Sequence, residues 1–171
     1  MALKSNPPLL VAVDTNVALD FADGCEAVID SIHTIQKRIE SGALCVPPTA
    51  VLELAHAADF GETADKRNAA RKFLRQHRAW NFQLIRFVPA GHVQVVRVAE
   101  RLRERDLIPE EEINDSLVLA EATLPGCRMM LTADEHLRGI DFEELTFELQ
   151  SFDVAPPVIA TPREIVRKFF R

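Results

Sequence analysis

The stretch Leu9-Leu-Val-Ala-Val13 is followed directly by Asp14, so a carboxylate stands at the end of five consecutive apolar residues. A short continuous apolar run is typical of a strand that is buried on both faces, as in a parallel sheet covered by helices. Comparable runs occur at 43–46, 127–131 and 158–160. We therefore expect Asp14 at the carboxyl end of a buried strand, where open α/β sheets bind their ligands.

Helical patterns separate these runs. Spacing and helix-start signals predict helices at 16–21, 25–40, 47–59, 65–80, 92–106, 111–124, 142–150 and 162–170, and 82–88 is either a strand or an extended connection. Strands that alternate with helices indicate one α/β domain over residues 1–171 with an open, mostly parallel sheet. The core would span about 9–168, and about 60–106 would be a helical insertion on the sheet.

The composition of the 171 residues is that of an ordinary globular protein, with 47% apolar and 27% charged residues and a net charge of −6. It excludes disordered and coiled-coil classes. No apolar run approaches the roughly 18 residues of a membrane span, and the N-terminus lacks a signal-peptide pattern. Three cysteines far apart in the chain favour a reducing compartment. We therefore expect a cytoplasmic protein without membrane contact.

Charge is distributed unevenly along the chain. Residues 66–99 hold eight Lys or Arg and no acid, whereas residues 106–153 hold thirteen acids and two arginines. Such an asymmetry often accompanies a polyanionic partner, although the overall acidity argues against non-specific coating of nucleic acid.

Four carboxylates converge on one edge of the predicted sheet. Asp14 and Asp134 each follow an apolar strand, and Glu53 lies in an otherwise apolar helix after the second strand. Asp115 begins the helix that leads into the strand at 127–131, so the start of that helix must lie at the opposite, carboxyl edge.

Each carboxylate also has a purely structural interpretation. Asp14 is a suitable helix N-cap, and Thr132 with Glu135 fits a capping box that leaves Asp134 unused. The alternative for Asp115 is that it complements a helix dipole, and the alternative for Glu53 is that it points to solvent at a helix edge.

Carboxylates crowded together repel one another, so protonation, arginine pairing or a divalent cation must neutralise them. No arginine is adjacent in sequence to any of the four, and carboxylate oxygens suit Mg²⁺ or Mn²⁺ better than zinc. The five histidines show no HxH or HxxxH spacing, so zinc is not expected.

The order of these elements resembles the PIN domain, the metal-dependent ribonuclease fold of VapC-type toxins. The similarity extends over about residues 9–168 and is carried by five motifs: Val13-Asp14-Thr15-Asn16, Val51-Leu-Glu53-Leu54, Asn114-Asp115-Ser-Leu-Val-Leu-Ala120, Leu131-Thr132-Ala-Asp134-Glu-His-Leu137 and Val158-Ile-Ala-Thr-Pro162-Arg-Glu-Ile165. One departure is Leu137, where the family often has an aromatic residue.

The resemblance implies a three-layer α/β/α fold and an endoribonuclease that uses Mg²⁺ or Mn²⁺ to activate water. Asp14 and Asp115 would bind the ion directly, and Glu53 and Asp134 would complete its coordination directly or through water. It also implies an antitoxin partner and a homodimer. By their positions in these motifs, Asn16 and Thr132 would orient the carboxylates or a phosphate oxygen.

A basic stripe is the candidate RNA-binding surface. Arg67, Arg71, Arg75 and Arg78 fall on one face of the predicted helix 65–80, and Lys72 and Arg86 lie nearby. The alternative is a solvated helix face. Trp80 and Phe82 would either stack on bases or belong to the core.

Two other functions remain open at this point. The first is a non-catalytic PIN-fold module that binds protein or RNA. The second is another Mg²⁺-dependent phosphate hydrolase, although a phosphatase would usually have a second acid two residues after Asp14, where Asn16 stands. DNA is also possible as the nuclease substrate.

Overall fold

The computed structural model describes residues 9–38 and 42–169. The last residues of the helix expected at 25–40 and of the helix expected at 162–170 lie outside these ranges, as do the ends of the single domain expected over 1–171. No helix of the described ranges has both the length and the apolar character that crossing a bilayer requires.

A five-stranded sheet forms the centre of the structure, and all of its strands run parallel. In spatial order it consists of β3 (Phe82–Leu84), β2 (Ala43–Val46), β1 (Leu10–Val13), β4 (Met129–Leu131) and β5 (Val158–Ala160). β1 is therefore the central strand. Val11 pairs with Leu44 on one side and with Met129 on the other, so β1, β2 and β4 end at the same edge.

Helices cover both faces of this sheet. Val11, Ala12 and Val13 are all fully buried, and successive strand residues point to opposite faces, so each face is packed against helices. The helices are α1 (Thr15–Asp23), α2 (Glu26–Arg38), α3 (Pro48–Phe60), α4 (Ala64–Gln76), α5 (Pro89–Glu104), α6 (Ile113–Thr123), α7 (Glu135–Arg138), α8 (Phe142–Gln150) and α9 (Pro162–Phe169). This is the expected three-layer α/β/α fold.

The stretch 60–106 is largely helical, as expected, but it also supplies the edge strand β3. Residues 82–84 form a strand that pairs with β2, whereas residues 85–88 are an irregular connection. Each of the two alternatives for 82–88 therefore holds for one part of the segment. This stretch is thus continuous with the βαβ alternation of the sheet and is not simply placed on top of it.

The ends of two helices differ most from the expected positions, and local backbone geometry explains each difference. The helix expected at 65–80 ends at Gln76, and a turn with Asn81 at φ 62° leads into β3. The helix expected from 92 begins at Pro89, because proline is favoured in a first helical turn. Gly24, in the left-handed conformation at φ 95°, separates α1 from α2.

Candidate metal centre

The carboxyl ends of β1 and β4 bring Asp14 next to the loop that carries Thr132 and Asp134. Val13 pairs with Leu131, and the backbone N–H of Asp14 donates to the carbonyl of Leu131 at 3.0 Å. Two segments far apart in sequence therefore start their loops side by side at this edge.

Asp14 is buried, with 6% of its surface exposed, and it accepts three hydrogen bonds. Oδ1 accepts from the backbone N–H of Thr15 at 2.7 Å, and Oδ2 accepts from Asn16 Nδ2 at 2.9 Å and from Thr132 Oγ1 at 2.7 Å. Burial raises the pKa of Asp14, whereas the hydrogen bonds from Thr132 and Thr15 lower it. Asp14 is the N-cap of α1. Its Oδ2 atom is held in addition by the side chains of Asn16 and Thr132.

The capping-box interpretation of Thr132 and Glu135 is wrong. Asp134 is the N-cap of α7, and its Oδ1 accepts from the backbone N–H groups of His136 and Leu137 at 2.8 and 3.2 Å. Thr132 cannot serve as the cap because its hydroxyl donates to Asp14 and accepts from the backbone N–H of Asp134 at 2.9 Å.

Asn16 joins the two loops from the other side. Its Oδ1 accepts from the backbone N–H of Ala133 at 3.0 Å while its Nδ2 donates to Asp14. Asn16 and Thr132 therefore hold Asp14 in one orientation.

Glu53 lies on α3 and is half-buried. Its carboxylate accepts from the hydroxyl of Thr15 and from Asn114 Nδ2, the latter at 2.8 Å. The interpretation that Glu53 points freely to solvent is wrong, because these bonds attach it to α1 and α6.

Asp115 lies in the first turn of α6, where a helix N-terminus favours negative charge. Burial, followed by the negative charges of Asp134, Asp14, Glu112 and Glu53, raises the pKa of Asp115 to about 6. The carboxylates are thus close enough for each to make ionising Asp115 more difficult.

A cavity of about 720 Å³ is lined by all four predicted acids. Asn16 and Asn114 also line it, together with the apolar side chains of Leu19, Leu52, Phe60 and Leu117. Lys66, at the start of α4, adds a cation to this lining that no motif in the sequence predicts. Within residues 9–38 and 42–169, no Lys or Arg forms an ion pair with any of the four acids.

Two residues beside the cavity were missed at the sequence level. His136 and Glu112 form a group with Asp115 in which one ligand atom of each residue lies within 4.8 Å of the others. In the described part of the chain no other group of three His, Cys, Asp or Glu residues meets this distance, and the four predicted acids share the lining of the cavity without doing so. The available signal was the position of Glu112 three residues before Asp115, a spacing that places two side chains side by side on a helix.

The predicted basic stripe is divided by the structure. Arg71 and Arg75 are exposed on α4, one helical turn apart, as expected. Arg67 is half-buried and donates through Nη1 to the carbonyl of Gly61. Arg78 follows the end of α4, so the expectation that it shares a helix face with the other three is wrong.

Of the two neighbouring aromatic residues, Phe82 belongs to the interior and Trp80 is half-buried against it. Phe82 is buried and packs edge-on against Phe73, with ring centroids 5.1 Å apart. Trp80 packs against Phe21 at 5.2 Å, and Lys72 donates to the carbonyl of Ala22 at 2.7 Å. Phe82 is therefore not available to stack on bases.

Comparisons with known proteins agree with this fold. The sequence matches the PIN domain family over residues 11–143. The chain belongs to the PIN domain family. Among solved structures, VapBC2 from Rickettsia felis, bound to a DNA fragment from its promoter, has a similar fold. The similarity has a TM-score of 0.61 at 12% identity and covers 90% of this chain and 98% of that chain. A comparison with curated protein sequences gives no match.

The donors of this PIN domain fit a divalent cation. Carboxylate oxygens from the residue after β1, from α3, from α6 and from the loop after β4 line one cavity, and no arginine or lysine of the described residues is ion-paired with them. Mg²⁺ is normally held by few carboxylates and keeps several waters, so acids placed around a cavity that is open to solvent suit it. The PIN domain thus has a chemically suitable place for a metal.

Proposed function

We propose that this PIN domain is a metal-dependent endoribonuclease that hydrolyses RNA phosphodiester bonds. The observation that carries the proposal is the cavity lined by Asp14, Glu53, Asp115 and Asp134, in which the described residues offer these acids no ion-paired Lys or Arg. Membership of the PIN family, whose domains are generally nucleases, supports it.

Asp14 and Asp115 are the proposed direct ligands of Mg²⁺ or Mn²⁺, and Glu53 and Asp134 complete the coordination directly or through water. When bound, the ion lowers the pKa of water and stabilises negative charge on the phosphate. Asn16 and Thr132 fix the orientation of Asp14 through hydrogen bonds of 2.9 and 2.7 Å. Thr15 and Asn114 fix that of Glu53.

RNA reaches this acidic centre along cationic side chains. Lys66 lines the cavity, and Arg71 and Arg75 are exposed nearer the C-terminal end of α4. Cations at this border offset the repulsion between the phosphates and the carboxylates. Arg67 and Arg78 complete the proposed RNA contact, before and after these residues in sequence. Arg67 has fewer N–H groups available for RNA, because its Nη1 donates to the carbonyl of Gly61.

We also propose that the protein is a cytoplasmic toxin and that an antitoxin protein binds it. The toxin itself is proposed to form a homodimer. The cavity combines acids with an exposed apolar rim, in which Leu52 and Phe60 are 70% and 73% exposed. A partner segment with one basic and several apolar side chains complements such a groove. Similarity to the fold of VapBC2 supports this setting.

The nuclease proposal is tested with the purified chain and labelled single-stranded RNA, with Mg²⁺, Mn²⁺ or EDTA. We expect cleavage that requires the ion and falls about 100-fold or more in Asp14→Asn and Asp115→Asn. Asp59→Asn, an exposed acid on α3, is the matched control and should retain activity.

The same assay distinguishes the other functions. Hydrolysis of a small phosphomonoester without RNA cleavage would indicate a different phosphate hydrolase, and RNA binding without cleavage would indicate a non-catalytic module. Single-stranded DNA, assayed in parallel, tests the choice of nucleic acid. The toxin role predicts that expression in a bacterial host arrests growth and that Asp14→Asn removes this effect.

A further inference from the structure

His136 faces three carboxylates at the border of the cavity. Its Nδ1 lies 3.6 Å from Glu112 Oε1, 3.7 Å from Asp115 Oδ2 and 3.9 Å from Asp134 Oδ1. Neither His136 nor Glu112 lines the cavity itself. This group therefore has its own position in the fold and shares Asp115 with the proposed catalytic centre.

The distances within this group match the separation of ligands around an ion better than that of hydrogen-bonded atoms. A direct N–H···O bond would require about 2.7–3.2 Å. Four ligands placed tetrahedrally at about 2.0–2.2 Å from a metal lie about 3.3–3.6 Å apart. The separations of Nδ1 from Glu112 and Asp115, 3.6 and 3.7 Å, lie at or just above the upper end of this range.

The residues are also presented in a way that leaves their ligand atoms accessible. Glu112 is the N-cap residue of α6, yet its side chain makes no capping hydrogen bond. The side chains of Glu112 and His136 are 38% and 48% exposed, and that of Asp115 is 21% exposed. An ion from solvent can reach all three, and the start of α6 and the first turn of α7 fix their backbones.

We propose that Glu112, Asp115 and His136 form a second cation site, which takes a first-row transition-metal ion such as Zn²⁺ in preference to Mg²⁺. The imidazole nitrogen is the deciding donor, because it binds Zn²⁺ well and Mg²⁺ poorly. Three protein ligands leave one position of a tetrahedral ion for water. Asp115 uses Oδ2 here, which leaves Oδ1 for the cavity. This site goes beyond the proposed nuclease function, because Glu112 and His136 do not line the cavity of the proposed nuclease centre.

The test is calorimetric titration of the metal-free full chain with Zn²⁺ and, separately, with Mg²⁺. We expect His136→Ala and Glu112→Gln each to weaken Zn²⁺ binding at least 10-fold and to change Mg²⁺ binding much less. His33→Ala and Glu111→Gln, which alter exposed residues of the same types, are the matched controls and should bind Zn²⁺ like the unmodified chain. Unfolding curves without metal verify that each variant is folded.

A second readout keeps the inference independent of any single variant. In the unmodified chain, Zn²⁺ should shift the ¹⁵N resonance of the His136 Nδ1 atom. Unchanged Zn²⁺ affinity in folded His136→Ala, or an unchanged His136 resonance at saturating Zn²⁺, overturns the proposal. Absence of RNA cleavage would instead reject the nuclease function and leave these binding results as they are.

Discussion

Thr132 Oγ1 donates a hydrogen bond of 2.7 Å to Asp14 Oδ2, and this bond connects the loops that follow β4 and β1. The same hydroxyl accepts from the backbone N–H of Asp134. One buried side chain thus orients a carboxylate of the proposed metal centre and also fixes the loop that carries another.

Replacing Thr132 with valine should destabilise the fold by about 1–3 kcal/mol, because valine keeps the shape but leaves a buried carboxylate and an N–H without their partner. Urea unfolding measures this change. Thr132→Ser retains the hydroxyl and should cost less. Equal stabilities of the two variants would show that the hydroxyl contributes nothing.

Replacing Asp115 with asparagine should stabilise the metal-free chain at neutral pH. The folded state raises the pKa of Asp115 from 3.8 to about 6, so it binds the proton more tightly than the unfolded state does. The contribution of Asp115 to the free energy of unfolding therefore falls as pH rises from about 4 through about 6, and it stays at its lowest value above that range. Asparagine removes the charge.

Because the Asp115 side chain is 21% exposed, solvent screening reduces the effect, and we expect a gain of about 1–2 kcal/mol at pH 7.5. At pH 4 the variant and the unmodified chain should differ little. Urea unfolding at the two pH values measures the difference, with Glu111→Gln as the control. A variant that is less stable at pH 7.5 would contradict the expectation.

Reversing the charge of Arg71 and Arg75 should weaken binding of single-stranded RNA at least about 10-fold and should reduce its salt dependence, because two phosphate contacts are lost. Fluorescence anisotropy in EDTA measures binding without cleavage. Arg97→Glu combined with Arg163→Glu changes the net charge equally at exposed sites elsewhere. If both double variants bind alike, α4 is not the RNA surface. Mg²⁺ affinity should not change.

Replacing Glu121 with alanine should destabilise the fold by about 2–4 kcal/mol. The buried Glu121 accepts from the backbone N–H and the hydroxyl of Thr49 at 2.8 and 2.9 Å, and so caps the first turn of α3 from within α6. Glu121→Gln retains an acceptor and should cost less. Urea unfolding, with the exposed Glu100→Ala as reference, measures both. A loss no greater than that of Glu100→Ala would contradict this role.

The sheet and the four acids were predictable because they depend on local pattern and on parallel topology. The run that ends at Val13 indicates a doubly buried strand, and right-handed βαβ connections place the residue after each strand at one edge. Asp14 and Asp134 follow directly from this reasoning. Asp115 follows because a helix that leads into β4 must begin at that same edge.

The remaining features depend on contacts that no local pattern contains. Thr132 looks like a capping residue, but its hydroxyl is already used by Asp14, so Asp134 caps α7. His136 and Glu112 meet only when α7 docks beside the start of α6. The end of α4 at Gln76 depends on the turn that directs Phe82 into the core.

The position of β1 between β2 and β4 has a consequence for synthesis of the protein. Thr132 and Asp14 are 118 positions apart, yet the pocket needs both. A growing chain leaves the ribosome from its N-terminus at about 5–20 residues per second, so β4 emerges many seconds after β1. Until then the nascent chain holds Asp14 without its neighbours. The proposed metal centre is therefore incomplete until nearly four fifths of the chain has been synthesised.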